Sequence, residues 1–173
     1  MRSTFSSFFI QPQLTTLFLI IYALSFCGCS QNSPESFVEG IYTDILSDYR
    51  PGTPNEEQYY ARYCSEDLQH WLREESAIST DRNEIFVIDW SLWISAQDWS
   101  RDIALKSVKR EANAPKGLVW TTATLCNFGT DCPVQLVLKK HGRQWKIDDF
   151  GFPEGIKKNI QKAIQQEQLH ASH

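Results

Sequence analysis

Two adjacent carboxylates, Asp148 and Asp149, stand in the run "WKIDDF" near the C-terminal end of the chain. Paired carboxylates can act as proton donor and acceptor when their environments give them different pKa values. Successive residues of a strand point to opposite faces, however, so these two side chains are predicted to diverge. Asp149 would then share a face with Trp145 and Ile147, on the helix-covered side of a sheet. Burial there would raise the pKa of Asp149, which suits acid–base chemistry or a structural hydrogen-bond network, and we expect the structural role.

A second polar pair, Gln97 and Asp98, stands in the run "ISAQDW". Asp98 could cap a short helical turn, and Gln97 could satisfy buried backbone groups. A ligand-binding role would require both side chains to meet Asp149 in one pocket, beside the rings of Trp99 and Trp145. Small-molecule pockets are mostly apolar with a few placed polar groups, which fits this set. These five residues are therefore the candidate ligand site, although the leading expectation for the tryptophans is a role in the core.

The four histidines argue against hydrolytic catalysis. His70 lies in a predicted helix and His141 in a predicted turn, whereas His170 and His173 stand at the C-terminus. None of them is placed beside a candidate nucleophile. The sequence also contains no CxxC, no HExxH and no Gly-rich phosphate loop. We therefore expect no catalytic residues, no metal site and no cofactor.

The run "CNFGTDC" places Cys126 and Cys132 on either side of a turn that contains glycine. If this run forms a hairpin, the two side chains can lie directly across from each other and form a disulfide in an oxidising compartment. Pairing of Cys64 with either of them is the alternative. Three thiols leave at least one cysteine unpaired.

Residues 1–26 have the character of a targeting segment. A single charge, on Arg2, precedes an apolar stretch from Leu14 to Phe26 that has the length of a signal-peptide h-region. A permanent membrane-spanning anchor is the alternative, but the polar run "QPQ" at 11–13 interrupts the longer apolar stretch that it would need. The N-terminus therefore predicts export.

The run "FCGC" at 26–29 resembles a bacterial lipobox, in which a small residue precedes the cysteine that is lipidated. Gly28 is that small residue, so Cys29 is the predicted lipid acceptor and the mature N-terminus. Several acyl chains anchor a protein firmly, since each buried methylene contributes about 0.8 kcal/mol. Ser30 follows instead of Asp, which by resemblance to Gram-negative sorting favours the outer membrane. Ordinary signal cleavage without a lipid is the alternative.

The predicted elements begin with helices. A helix is expected from the Ser33 cap to Tyr49, because apolar residues recur at four-residue spacing and "RPGTP" at 50–54 ends the pattern. A second helical region covers 55–78 and is expected to split near Cys64, with Ser65 capping the second piece. From 103 onward the chain predicts four strands, the last two joined by a tight turn at "HGR". The run "PEGIKKNIQKAIQQ" predicts a C-terminal helix.

Helices followed by a run of antiparallel strands predict an α+β domain, with N-terminal helices packed on a curved sheet of about four strands. The order resembles the cone fold of nuclear transport factor two. The runs "ISAQDW" and "WKIDDF" point to a narrower resemblance. Through them, residues 34–165 are similar to the YbjP-like family of proteobacterial lipoproteins of unknown function. The matching positions are Gln97, Asp98, Trp99, Trp145, Lys146, Ile147, Asp148 and Asp149. The resemblance implies a periplasmic domain on a lipid tether and supplies no established catalytic residues.

The expected organisation is a lipoprotein signal peptide at 1–28, a lipidated tether at 29–35, one periplasmic domain at 36–166 and a flexible tail at 167–173. The formal net charge of −4 argues against nonspecific nucleic-acid binding. We therefore expect a non-enzymatic module, held at the outer membrane by its lipid, that contacts envelope proteins. One alternative is a small-ligand binder or enzyme that uses the cone interior. Another is an immunity protein against a periplasmic toxin.

Overall fold

Helix α1 (Pro34–Asp48) begins where the sequence predicts. The computed structural model describes residues 33–48 and 56–170, so the signal peptide, Cys29 and the predicted helix end at Tyr49 lie outside the described residues. The Ser33 hydroxyl accepts a hydrogen bond from the Ser36 backbone N–H at 3.0 Å, and Pro34 occupies the first helical position. The buried side of the helix carries Val38, Ile41, Tyr42 and Ile45.

The second helical region is split into α2 (Glu56–Tyr63) and α3 (Glu66–Arg82), as expected. Ser65 caps α3, because its hydroxyl accepts a hydrogen bond from the Leu68 backbone N–H at 3.2 Å. Asn83 ends the helix in the left-handed conformation at a φ of 55°. The short link between the helices also touches the sheet, since the Ser65 backbone N–H donates to the Ile147 carbonyl at 2.8 Å.

Four strands form one antiparallel sheet in chain order: β1 (Ala104–Arg110), β2 (Leu118–Asn127), β3 (Thr130–His141) and β4 (Gln144–Phe150). Along β2 every second residue is buried, which is the two-residue period of a strand with one covered face. A bulge at Lys106 shifts the register between β1 and β2. The strands and the β3–β4 hairpin at "HGR" are those that the sequence predicts.

The core lies between this sheet and the helices. Helix α1 packs on β1 and β2, whereas α3 contacts β4 and α4 (Ile156–His170). Leu136, Leu138 and Ile147 of the sheet are fully buried. An α+β domain with a C-terminal helix is thereby confirmed, and the closer likeness to the cone of nuclear transport factor two stays a prediction.

Helix α4 runs further than the sequence predicts. It continues through residues 167–170, part of the segment expected as a flexible tail, and Glu167 there forms an ion pair with Arg82 at the end of α3. None of the helices formed by the described residues is both long enough and apolar enough to cross a bilayer.

Candidate functional site

The two aspartates of "WKIDDF" meet at the N-terminus of α4. A bulge places Asp148 as an extra residue in β4, since Ile147 pairs with Leu138 while Asp149 pairs with the next residue of β3, Val137. The bulge reverses the alternation of side chains, so Phe150 instead of Asp149 returns to the buried face with Ile147. The prediction that Asp149 shares a face with Ile147 is therefore wrong.

Asp149 caps helix α4 from outside it. Its Oδ1 accepts hydrogen bonds from the backbone N–H of Lys157 at 3.2 Å and of Phe150 at 2.9 Å. The cap depends on Gly155, because a Cβ at that position would overlap the Asp149 carboxylate. Burial raises the pKa of Asp149 to about 6, although these backbone donors and the charge of Lys157 oppose the rise. The carboxylate has the structural role expected from the sequence.

Asp148 holds the side chain of the same lysine. The Lys157 Nζ lies 3.2 Å from Asp148 Oδ2 and 2.7 Å from Asp67 Oδ2 on α3. Burial lowers the pKa of Lys157, but the two carboxylates outweigh it and the pKa is raised on balance. His141 also approaches Asp148, with Nε2 and Oδ1 4.0 Å apart. This cluster joins α3, β4 and α4, so it acts as a clamp on the C-terminal helix.

The candidate ligand site of five residues is not assembled. Gln97 and Asp98 are exposed. The Asp98 backbone carbonyl accepts from Asn127 Nδ2 at 2.8 Å, at the end of the sheet where Asn127 pairs with Thr130. Val137, the partner of Asp149, is seven positions along β3 from Thr130, or about 23 Å at the usual strand rise. The prediction that these polar groups share one pocket with Asp149 is therefore wrong.

The tryptophan rings belong to the core or its margin. Trp99 and Trp145 are half-buried and pack against the core cluster. The Lys140 Nζ lies 4.9 Å from the centre of the Trp145 ring, in a cross-strand cation–π contact. The packing role expected for these two rings from the sequence is the one that the structure supports.

Trp93 is the centre of an aromatic cluster under the sheet. It is fully buried and stacks on Tyr60, with ring centres 5.4 Å apart. Phe150 meets it edge-on at 5.3 Å. The Trp93 backbone carbonyl accepts from the Tyr42 hydroxyl at 2.9 Å, whereas its Nε1 has no hydrogen-bond partner among the described residues. The Trp93 ring therefore fills the space between Tyr60 of α2 and Phe150 of β4.

The predicted Cys126–Cys132 bridge is not formed. Cys126 pairs with Asp131 and Cys132 with Leu125, so the two side chains point to opposite faces of the hairpin. The cause is the two-residue turn of Phe128 and Gly129, which makes Asn127 and Thr130 the closing pair. Both thiols are free, as is that of the buried Cys64. The expectation that Cys126 and Cys132 lie across from each other is wrong.

Sequence reasoning missed a buried carboxylate, Glu75 on α3, which is only 7% exposed. Its Oε1 accepts from the backbone N–H groups of Val87 and Ile88 and from the Ser79 hydroxyl, each at 3.2 Å. The Ser79 hydroxyl in turn accepts from the Phe86 backbone N–H. The four-residue spacing of Glu75 and Ser79 continues the buried stripe of α3, and polar residues on such a stripe are the signal that could have revealed this contact. Together they bind segment 86–88 to the helix.

A groove of ≈ 810 Å³ runs between α2, α3 and the segment that follows α3; we call it the α2–α3 groove. Tyr60 of α2, Leu72 and Ser76 of α3, and Ile88 and Trp90 of the following segment line it. Trp90 is 40% exposed although it is among the largest side chains of the protein. An exposed tryptophan beside other apolar side chains is typical of a contact surface.

Charged groups of the α2–α3 groove are mostly acidic. Glu56 and Glu57 stand at the start of α2, Glu75 and Asp81 lie on α3, and Arg73 is the one basic residue among the described residues that line it. Arg73 and Asp81 are exposed, so the groove is open to solvent instead of enclosed. An open, acidic, partly apolar groove suits a charged macromolecular partner better than a small apolar ligand.

Groups of three or more His, Cys, Asp or Glu arranged to hold a metal ion are absent from residues 33–48 and 56–170. Comparison with models of protein families, with curated proteins and with solved structures found no match. The likeness to YbjP-like lipoproteins therefore stays a prediction, and function is argued from the residues and their geometry.

Proposed function

We propose that this protein is a non-catalytic, lipid-anchored module that contacts another protein of the bacterial envelope from the periplasmic side of the outer membrane. The observation that carries the proposal is the α2–α3 groove, where Trp90 is exposed beside Leu72 and Ile88. Aromatic residues at the centre of an interface contribute a large share of its binding energy.

The roles of the chemically capable residues support a binding function over a catalytic one. Asp149 caps α4, and Asp148 pairs with Lys157. Asp98 is held at the end of the sheet where Asn127 pairs with Thr130, seven positions along β3 from the partner of Asp149. The alternative of a ligand inside the cone has little support, because the inward-facing sheet residues Leu136, Leu138 and Ile147 are fully buried.

The address of the protein is proposed from Cys29 in "FCGC" and from the likeness to YbjP-like lipoproteins. A lipid tether confines a domain to a thin layer beside the membrane. Its effective concentration towards neighbours in that layer is then raised, so a modest affinity is sufficient for binding.

Crosslinking in intact envelopes followed by mass spectrometry tests the proposed role. We expect reproducible protein neighbours, and we expect the Cys29→Ser variant to leave the membrane fraction and lose them. The Cys27→Ser variant is the matched control, because Cys27 is removed with the signal peptide. Recovery of no reproducible neighbour would contradict the role, and unchanged membrane retention of Cys29→Ser would contradict the address. A toxin among the neighbours would favour the immunity alternative.

A further inference from the structure

We propose that the α2–α3 groove binds a basic segment of a partner protein, in which Lys or Arg residues flank one or two large apolar side chains. This inference rests on the proposed function and names the chemistry of the partner. It follows from the shape of the groove, from its apolar floor and from the sign of its charge.

The shape comes from α3. Ser76 and Ala77 are exposed small residues on the groove side of the helix, and they leave space between α3 and α2. Leu72 and Ile88 form an apolar floor, and Trp90 stands at its side with 40% of its surface exposed. A partner's aromatic or leucine side chain would remove this surface from water.

The charged residues of the groove indicate which residues flank the partner's apolar side chain. Among the described residues that line the groove there are four carboxylates, those of Glu56, Glu57, Glu75 and Asp81, and one guanidinium, that of Arg73. Glu75 is mostly buried, and the three donors to its Oε1 are the uncharged hydroxyl and backbone N–H groups described above. Negative charge held in partly desolvated surroundings attracts cations more strongly than the same charge in water.

The same charge disfavours other occupants. Anionic lipid headgroups and nucleic-acid phosphates would be repelled by these carboxylates. Lys and Arg side chains fit, since their ammonium and guanidinium groups can reach the rim while the apolar anchor fills the floor.

Fluorescence anisotropy on the mature protein, purified from membranes in a nonionic maltoside detergent, tests the proposal. The probe is a fluorescein-labelled Lys-Lys-Leu-Phe-Lys-Lys peptide. One comparison peptide has Glu at every Lys, and another has Ser in place of Leu and Phe. We expect the basic apolar peptide to bind at least tenfold more tightly than either comparison peptide, with an affinity that falls as salt is added.

Variants locate the binding. Replacing three groove acids together (Glu56→Gln, Glu57→Gln and Asp81→Asn) should weaken binding about tenfold and flatten its salt dependence, since each exposed ion pair contributes a small, screened share. Trp90→Ala should also weaken binding about tenfold. The matched controls are another triple charge change outside the groove (Glu39→Gln, Asp98→Asn and Asp102→Asn) and Phe128→Ala, an exposed aromatic at the β2–β3 turn. Both controls should leave the affinity within about twofold.

Circular dichroism confirms that each variant is folded before its affinity is read. Equal affinity for the basic and acidic peptides, or equal loss in the groove and control variants, would overturn the proposal. Binding of phosphatidylglycerol vesicles that is lost in the groove variants would overturn it too, in favour of a lipid surface. These results leave the proposed function standing, because Cys29-dependent retention and envelope crosslinks are measured independently of the peptide.

Discussion

At the scale of single residues, Asp149 combines a structural position with a perturbed proton affinity. Burial raises its pKa to about 6, above the ordinary value for aspartate. The native state therefore holds this proton more tightly than the unfolded chain does. The resulting stabilisation is fully present below about pH 4 and is lost as the pH rises through about 6.

The Asp149→Asn variant tests this titration. An asparagine keeps an acceptor for the α4 backbone N–H groups but cannot ionise. We expect the wild type to lose about 1–2 kcal/mol of unfolding free energy relative to the variant between pH 4 and pH 7, a part of the full shift because the group is half-buried. Urea unfolding at a series of pH values measures it, with exposed Asp98→Asn as the control. A difference between wild type and Asp149→Asn that does not change with pH would contradict the assignment.

Trp93 is the residue on which the aromatic cluster depends. Trp93→Ala should lower the free energy of unfolding by about 3–5 kcal/mol, because it opens a cavity between Tyr60 and Phe150. Trp93→Phe should cost only about 1–2 kcal/mol, since it keeps a ring and removes the N–H that lacks a partner. Chemical denaturation of both variants measures the two losses. Equal losses would contradict the ring packing described here, because the ring that Trp93→Phe keeps would then contribute nothing to stability.

At the scale of elements, the sequence predicts those features that depend only on residues close together along the chain. The Ser65 cap, the four-residue stripe of α1 and the strand β2 are local features, and the sequence predicts all three. The bulge at Asp148 and the closing pair of the β2–β3 turn depend on how strands meet, and a shift of one residue moves a side chain to the other face. The predicted face of Asp149 and the predicted Cys126–Cys132 bridge are wrong for this reason, although the strands themselves are predicted correctly.

The position of segment 86–88 depends on its hydrogen bonds to Glu75 of α3. Glu75→Ala removes the acceptor for the Val87 and Ile88 backbone N–H groups, so we expect a loss of about 1–3 kcal/mol in unfolding free energy. Amide hydrogen exchange should also become faster at those two residues. The exposed neighbour Glu74→Ala is the control and should change neither quantity. Unchanged exchange at Val87 and Ile88 in Glu75→Ala would show that other contacts hold the segment.

At the scale of the whole molecule, Cys64 reports on the packing of helices against the sheet. It is 1% exposed between α2 and α3, and burial raises the pKa of its thiol. Cys126 and Cys132 are partly exposed and free. Opening of the helix–sheet contact is therefore required before a reagent reaches Cys64.

Thiol labelling of the native protein with iodoacetamide, followed by peptide mapping, measures this difference. We expect Cys126 and Cys132 to be modified under native conditions without a reductant, and Cys64 only at denaturant concentrations that unfold the domain. A disulfide-linked peptide containing Cys126 and Cys132 would contradict the strand register. Rapid modification of Cys64 in the native state would contradict the packing of the α2–α3 link on β4.

The two borders of the sheet are protected in different ways. On β4, Ser65 occupies the Ile147 carbonyl that an incoming strand would use. On β1, the bulge at Lys106 breaks the straight row of backbone groups, and Lys109 and Arg110 add repulsion between copies. Fibril-like growth by strand addition is thereby discouraged even where many copies crowd together. Side chains, and not free strand edges, are then the groups that this domain offers to any neighbour, so surface substitutions can change its contacts without altering the backbone.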